Sequence, residues 1–557
     1  MTKLSIGSLA GTAALSALML LTVTPRPALA EHVHGGAETT APATSQKMKA
    51  QLGSSAAFDR HGMLWLVGRD ADDMGDYLVL QKSADDGKSW SDKLRISSES
   101  VVASGDERPR IAFGSHDEMY VTYSRPLAKP YTSEVRFIRS EDGGTHFSQP
   151  LTVHRDRQVI THGFASTIVD AAGRIYVTWI DKRDLQDAKT AGDAYSGAAQ
   201  YYAVSTDGGK SFKGDYKIAD HSCECCRSAV ALNEQGRPIL LWRHVFPPNI
   251  RDHALVELTP DGKLGAVERA SFDNWAIDAC PHQGPSLAFG ANGLRHQTWF
   301  SGGANGGALY YAAQRSDGSM GTPIRLGGDQ AGYADVAVSG SEVEVVWKEF
   351  DGVATQVKGI SSQDGGASWM TRVLASTTGA SDQPRLVTKG TQIYLIWRTG
   401  LNGAVAVKLA VPAIRSFEAD GMVRIHAAEA GRPFVLLAWS LDCSYCHASM
   451  KNLAAAEAGL DFDIVTVAIE SADDAGNASA ISAATSQLGR RASNWAFGGQ
   501  PAEQLRYQID PQWHGELPRS YWFDAQGRCV TAQSGLITPA FIAEAGIRIG
   551  ASLAGIQ

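Results

Sequence analysis

Between residues 51 and 412 the apolar positions fall in short runs rich in β-branched and aromatic residues. They begin at Leu64 (LWLVGR), Met119 (MYVTYSR), Ile175 (IYVTWID), Ile239 (ILLWRH), Arg295 (RHQTWFS), Val343 (VEVVWKE) and Ile393 (IYLIWRT). Each is followed by a second run, as in LVLQKS, VRFIRS and QYYAVS. Runs of this kind bounded by turn residues predict strands rather than helices. Their recurrence at roughly 50 to 60 residues predicts one four-stranded sheet per unit, arranged in a ring.

Four of the turns share one pattern: SADDGKSW from Ser83, SEDGGTHF from Ser140, STDGGKSF from Ser205 and SQDGGASW from Ser362. Asp and Gly suit a tight turn, the carboxylate bonding local backbone, while the aromatic seven residues on plugs the turn against the sheet. The pattern resembles the Asp-box (BNR) repeat of sialidases and related β-propellers. That resemblance implies a propeller of six or seven blades, and the strand count favours seven although sialidases have six.

From about residue 413 the pattern changes. GRPFVLLAWS reads as a buried strand and LDCSYCHASMKNLAAAEAGL as a helix, so Cys443 and Cys446 stand at a strand-to-helix junction, where helix N-termini lower a thiol pKa. A second strand (DFDIVTVAIE), a helical stretch (ISAATSQLGRRA), Pro518, a strand and a hairpin follow. This order resembles the TlpA-type thioredoxin-like proteins over residues 413–557, so the fold class expected is multidomain, an all-β propeller followed by an α/β thioredoxin-like domain. The resemblance implies that Cys443 attacks, Cys446 resolves and Pro518 is a cis-proline facing the sulfur pair. Asp442 replaces the usual preceding tryptophan; its charge is expected to raise the Cys443 pKa, and His447 to offset it. Cys529 is expected to be a small buried residue.

Residues 1–30 have the lysine, apolar stretch and Ala-Leu-Ala end of a signal peptide, and residues 31–50 read as a flexible leader, with His32 and His34 solvated. A periplasmic or secreted protein without a membrane span after cleavage is therefore expected. The net charge of −8, with no polybasic run, excludes nucleic acid as an expected partner.

Aligned on the first strand of each unit, Arg110, Arg227 and Arg385 occupy one register position, which Ser55, Ser166, Ser286 and Asp335 take in the other units. Three arginines converging on the channel can clamp a small anionic ligand, as the sialidase arginine triad clamps a carboxylate. The sialidase Arg-Ile-Pro string is missing, and no tyrosine nucleophile or acid/base aspartate stands out. The alternative is that these arginines pair with Asp106, Glu107, Glu224 and Asp382. Beside Arg227, HSCECCRS brings Cys223, Cys225 and Cys226, and DACPHQGPS brings Cys280 to the neighbouring inter-blade loop, with His221 and His282 flanking. This set suits copper or zinc, or one or two disulfides. The long connection from Asp181 is expected to be functional or mobile.

The leading reading is an exported thiol–disulfide redox protein whose propeller binds substrate, partner or metal, acting on a redox partner protein or on the propeller's own cysteines. The alternatives are a sialidase-type glycoside hydrolase and a non-enzymatic copper- or zinc-binding scaffold.

Overall fold

The structure is a computed structural model. It describes residues 52–550, apart from 74, 291–292, 304–306, 316, 363–364, 367–368, 410–413, 457–461, 486 and 489–491. The expected signal peptide and leader lie outside the described residues, and no described helix is long and apolar enough to cross a membrane.

Residues 55–409 form seven antiparallel sheets, six of four strands and a last of three, each running in sequence order. The first strands of the seven, Ser55–Phe58, Arg110–Phe113, His162–Val169, Ala229–Leu232, Ser286–Phe289, Ala331–Ser339 and Arg385–Lys389, line the centre. The central runs are buried on both faces, because each blade packs against two neighbours. An apolar cluster fills every junction. Trp65 and Val67 meet Met119 and Val121 between blades one and two, and Ala337 and Val346 meet Leu395 and Trp397 between six and seven. Leu64 and Leu66 meet Tyr394 and Ile396 between the last blade and the first, which closes the ring. Polar ties reinforce that closure: Ser54 N–H and Oγ–H donate to Asp382 at 2.8 and 2.7 Å, and Trp90 Nε1–H donates to the Ala404 carbonyl at 3.1 Å.

The four repeated turns share one bonding scheme. In the first, Ser83 Oγ–H donates to Asp85 at 2.8 Å and accepts from the Gly87 amide at 2.7 Å, while Asp85 accepts the Ser89 amide at 2.9 Å. Ser140 with Asp142 and Gly144, and Ser205 with Asp207 and Gly209, repeat it, and Ser362 accepts from Gly366 in the fourth. Glycine is required at Gly209, whose φ is +79° and whose added Cβ would stand 2.5 Å from Phe137. The long connection of blade three folds into the helix Arg183–Ala191, anchored by Arg183 on Asp181 and Asp215, both at 2.7 Å.

The C-terminal region is a six-stranded mixed sheet in the order Ile414–Phe417, Ala492–Phe497, Asp463–Ser471, Phe434–Trp439, Arg519–Phe523, Cys529–Ser534, with the first four strands parallel and the last two antiparallel. Apolar clusters cover both faces. The expected strands after Gly431, around 463–471 and after Pro518 are present. The helical stretch ends at Thr485, and SNWAF adds a parallel strand that the short polar-flanked run did not announce. Cys529, expected to be buried, is exposed, because the last strand is an edge strand with most of its side chains in solvent.

Candidate functional site

At the centre of the ring is a cavity of about 230 Å³ whose walls include Arg110, Arg227, Asp335 and Arg385. Alternation along an inner strand points every second side chain at this channel. Arg110 pairs with Thr122 and Arg385 with Ile396, each just before the aromatic position of the next strand, as the alignment required. In blade four that position is held by Ala229, opposite Leu241. Arg227 is therefore not the register equivalent of the other two. It lies two residues upstream, ahead of the strand, and still lines the cavity.

The arginines are unequally neutralised. Arg227 is 2% exposed; its Nη1–H donates to Asp106 at 3.2 Å and Nη2–H to the Ala334 carbonyl at 3.2 Å. Arg385 faces Asp335 at 3.4 Å, and Asp335 also accepts from Ser286 Oγ–H and the Leu386 amide at 2.5 and 2.8 Å. Arg110 donates from Nε to the Ala165 carbonyl at 3.0 Å and meets no carboxylate at ion-pair distance among the described residues. Burial, and then the charges of Arg385, Arg108 and Arg227, push its pKa well below the usual arginine value. Burial likewise lowers Arg227, against the opposing pull of Asp106. The site thus concentrates positive charge in a place where water solvates it poorly, which favours an incoming anion.

The expected pairing of these arginines holds only for Arg227. Asp382 is taken by Ser54 and by Arg108 at 3.4 Å, Glu224 by Lys182 at 2.6 Å, and Glu107 by the Phe164 amide at 3.3 Å. Arg108 was overlooked, although the two-residue period from Arg110 marks it. It is buried, donates to the Ser54 carbonyl at 3.0 Å and to Gln383 at 2.7 Å, and burial pushes its pKa down to about 10. Tyr333 was overlooked as well. It sits at φ +61° in a bulge of blade six, its amide donating to Gln283 at 2.9 Å and its ring 5.7 Å from Lys348 Nζ. Burial, and then Asp106, raise its phenol pKa. No sequence signal singles out a tyrosine placed by a bulge.

Cys223, Cys225 and Cys226 turn inward together: their sulfurs lie within 4.8 Å of one another, with Cys223 at 2.9 Å from Cys226 and 3.7 Å from Cys225. All three are buried and unbridged. Cys280 stands on the exposed neighbouring loop, and the influence of Cys225 lowers its thiol pKa to about 7. The histidines do not join them. His221 Nδ1 faces the Ser196 carbonyl at 3.2 Å and its ring packs on Tyr195, and His282 is exposed.

In the C-terminal region Cys443 and Cys446 form a disulfide at the start of the helix Ser444–Ala456. Leu517–Pro518 is cis. The pairing of Ala438 with Arg519 places Pro518 beside the strand end from which the disulfide loop departs. Asp442 accepts from Ser440 Oγ–H, and His447 Nε2 lies 2.9 Å from the Leu441 carbonyl.

No family model and no curated protein matches the sequence. Solved structures that match include a polysaccharide lyase described as an ulvan lyase (10% identity over 65% of this chain and 94% of that one, TM-score 0.43). An α-L-arabinanase from Penicillium chrysogenum matches at 13% identity over 56% and 94%, TM-score 0.38, and the NanB sialidase from Streptococcus pneumoniae at 8% over 65% and 92%, TM-score 0.37. The leading expectation of a thiol–disulfide redox protein is corrected here: all three matches are named for action on carbohydrates. The chain is a seven-bladed β-propeller followed by a mixed α/β region.

Proposed function

We propose that the propeller is a carbohydrate-active domain of sialidase type that takes an acidic sugar by its carboxylate at Arg110, Arg227 and Arg385. The observation that carries this reading is the central cavity, where Arg110 has no carboxylate partner among the described residues while Arg227 and Arg385 each meet one at 3.2 to 3.4 Å. A ligand carboxylate supplies the missing charge, and forked guanidinium donors fix its orientation. The choice of a sugar, rather than another carboxylate, rests on the likeness of this arginine arrangement to the sialidase triad and not on the Asp-boxes, which are turn devices. Tyr333, set in the bulge of blade six two residues before Asp335, is the tyrosine this reading tests for a part in bond cleavage.

Release of the fluorophore from acidic glycosides, sialosides and uronides, tests this directly. Turnover by the pure protein is expected, lost on Arg227→Ala or Arg385→Ala and reduced in kcat more than in KM by Tyr333→Phe. Absence of release from every acidic glycoside tested overturns the hydrolase reading.

We further propose that residues 413–557 form a thioredoxin-like domain, supported by the strand order, the disulfide at a helix start and the placement of Pro518. Export to the periplasm or outside the cell is proposed on the signal-like first thirty residues.

A further inference from the structure

Two groups among the described residues bring three metal-competent side chains together. In one, Asp156, His162 and Asp181, the members are already engaged: His162 holds Asp156 at 2.8 Å, and Asp181 takes Arg183 and the Trp179 indole at 2.7 and 2.8 Å. In the other, Cys223, Cys225 and Cys226, the Cys223 sulfur faces the sulfurs of Cys225 and Cys226.

The sulfur geometry fits one ion. Thiolates about 2.3 Å from a common centre lie roughly 3.8 to 4.0 Å apart in tetrahedral or trigonal arrangement. The Cys223–Cys225 separation of 3.7 Å is close to that value, and the Cys223–Cys226 separation of 2.9 Å has to open by about 1 Å to reach it, with all three sulfurs already within 4.8 Å of one another. None is at the about 2.05 Å of a disulfide. A second, independent observation concerns charge. Arg243 is 1% exposed and donates only to carbonyls, those of Arg251, Gln283 and Phe300 at 2.9, 3.1 and 2.7 Å. Its Nε is buried with no partner, and no carboxylate lies within ion-pair distance of it among the described residues. The Arg243 carbonyl accepts from the Cys223 amide at 3.0 Å, which sets this residue beside the cluster. A buried guanidinium without a counter-ion is costly. A metal–thiolate centre carries net negative charge and supplies that counter-ion where neutral thiols do not.

We propose that Cys223, Cys225 and Cys226 bind a single thiophilic d10 cation, Cu(I) or Zn(II), with Cys280 as the fourth sulfur at the exposed side. Binding exchanges each ligating thiol proton for a metal–sulfur bond, without electron transfer. His221 faces the Ser196 carbonyl and His282 is exposed, so neither is counted among the ligands. The site is independent of the sugar reading and stands on blade four, beside Arg227.

Full-length protein, reduced and handled without oxygen, is titrated with Cu(I) and separately with Zn(II) against chromophoric chelators, in unaltered form and with Cys443→Ser/Cys446→Ser. One equivalent is expected in both forms, protecting Cys223 and Cys226 from alkylation. Cys226→Ser abolishes it. Cys280→Ser, at an exposed position that leaves folding intact, weakens Zn(II), which needs four ligands, more than Cu(I), which is content with three. Failure of the reduced protein to hold either metal, binding lost with Cys443 and Cys446 instead, or a Cys223–Cys226 disulfide in the protein as isolated from an exporting host each overturns the proposal.

Discussion

The outer turns and the channel mouth are built from the same seven blades on opposite principles. At the turns, Ser, Asp and Gly satisfy one another within eight residues, and the arrangement recurs with little variation. At the mouth, equivalent positions hold Ser, Arg and Asp, and their partners come from distant blades, as when Asp106 meets both Arg227 and Gln383. Repetition specifies the scaffold. Departure from it specifies the site, because there charges take their partners from distant blades.

The contrast can be broken first at Arg108, which links blades one, two and seven. Arg108→Met leaves Asp382 buried without its cation and is expected to destabilise the protein by about 3 to 5 kcal/mol in chemical denaturation. At a turn, Gly209→Val meets both a positive φ and Phe137, and a loss of about 3 kcal/mol is expected by the same measurement. Arg110→Met should instead leave stability unchanged or raised, since it removes an unpaired buried charge, while weakening an acidic ligand by about 10- to 100-fold, roughly 1.4 to 2.8 kcal/mol, in calorimetry. A turn as indifferent to substitution as Arg110, or a mouth as self-contained as the turns, breaks the comparison.

The smallest effect is in pH. Hydrogen bonds from Ser89 and Ser83 hold the Asp85 carboxyl down to about 2; at Asp207, bonds from Ser211 and Ser205 outweigh burial and do the same. Unfolded aspartate titrates near about 3.9, so the folded carboxylates contribute stability above that pH, lost as pH falls through about 2. Asp85→Asn and Asp207→Asn should flatten the fall of Tm between about pH 4 and 2 without changing the neutral-pH site.

Much of the scaffold was legible. Aromatic-ended runs and the Asp-box spacing report purely local demands, burial between two blades and a tight turn, and both are met where the sequence puts them. The cysteines were legible as groups because three of them are neighbours in the chain. Register was less so. Arg227 is shifted by two residues from Arg110 and Arg385, because the inner strand of blade four begins at Ala229, and only strand pairing reveals that. Tyr333 and Arg243 were silent, since the first depends on a bulge and the second on carbonyls of three separate segments.

The most direct test compares one sugar in two states: calorimetric titration of the protein with an acidic monosaccharide and with its methyl ester, at low and moderate salt. Binding of the acid alone, weakened by salt and by Arg110→Met, is the expected result. Equal binding of acid and ester, or binding of the acid indifferent to Arg110, contradicts an arginine-centred site for an acidic sugar.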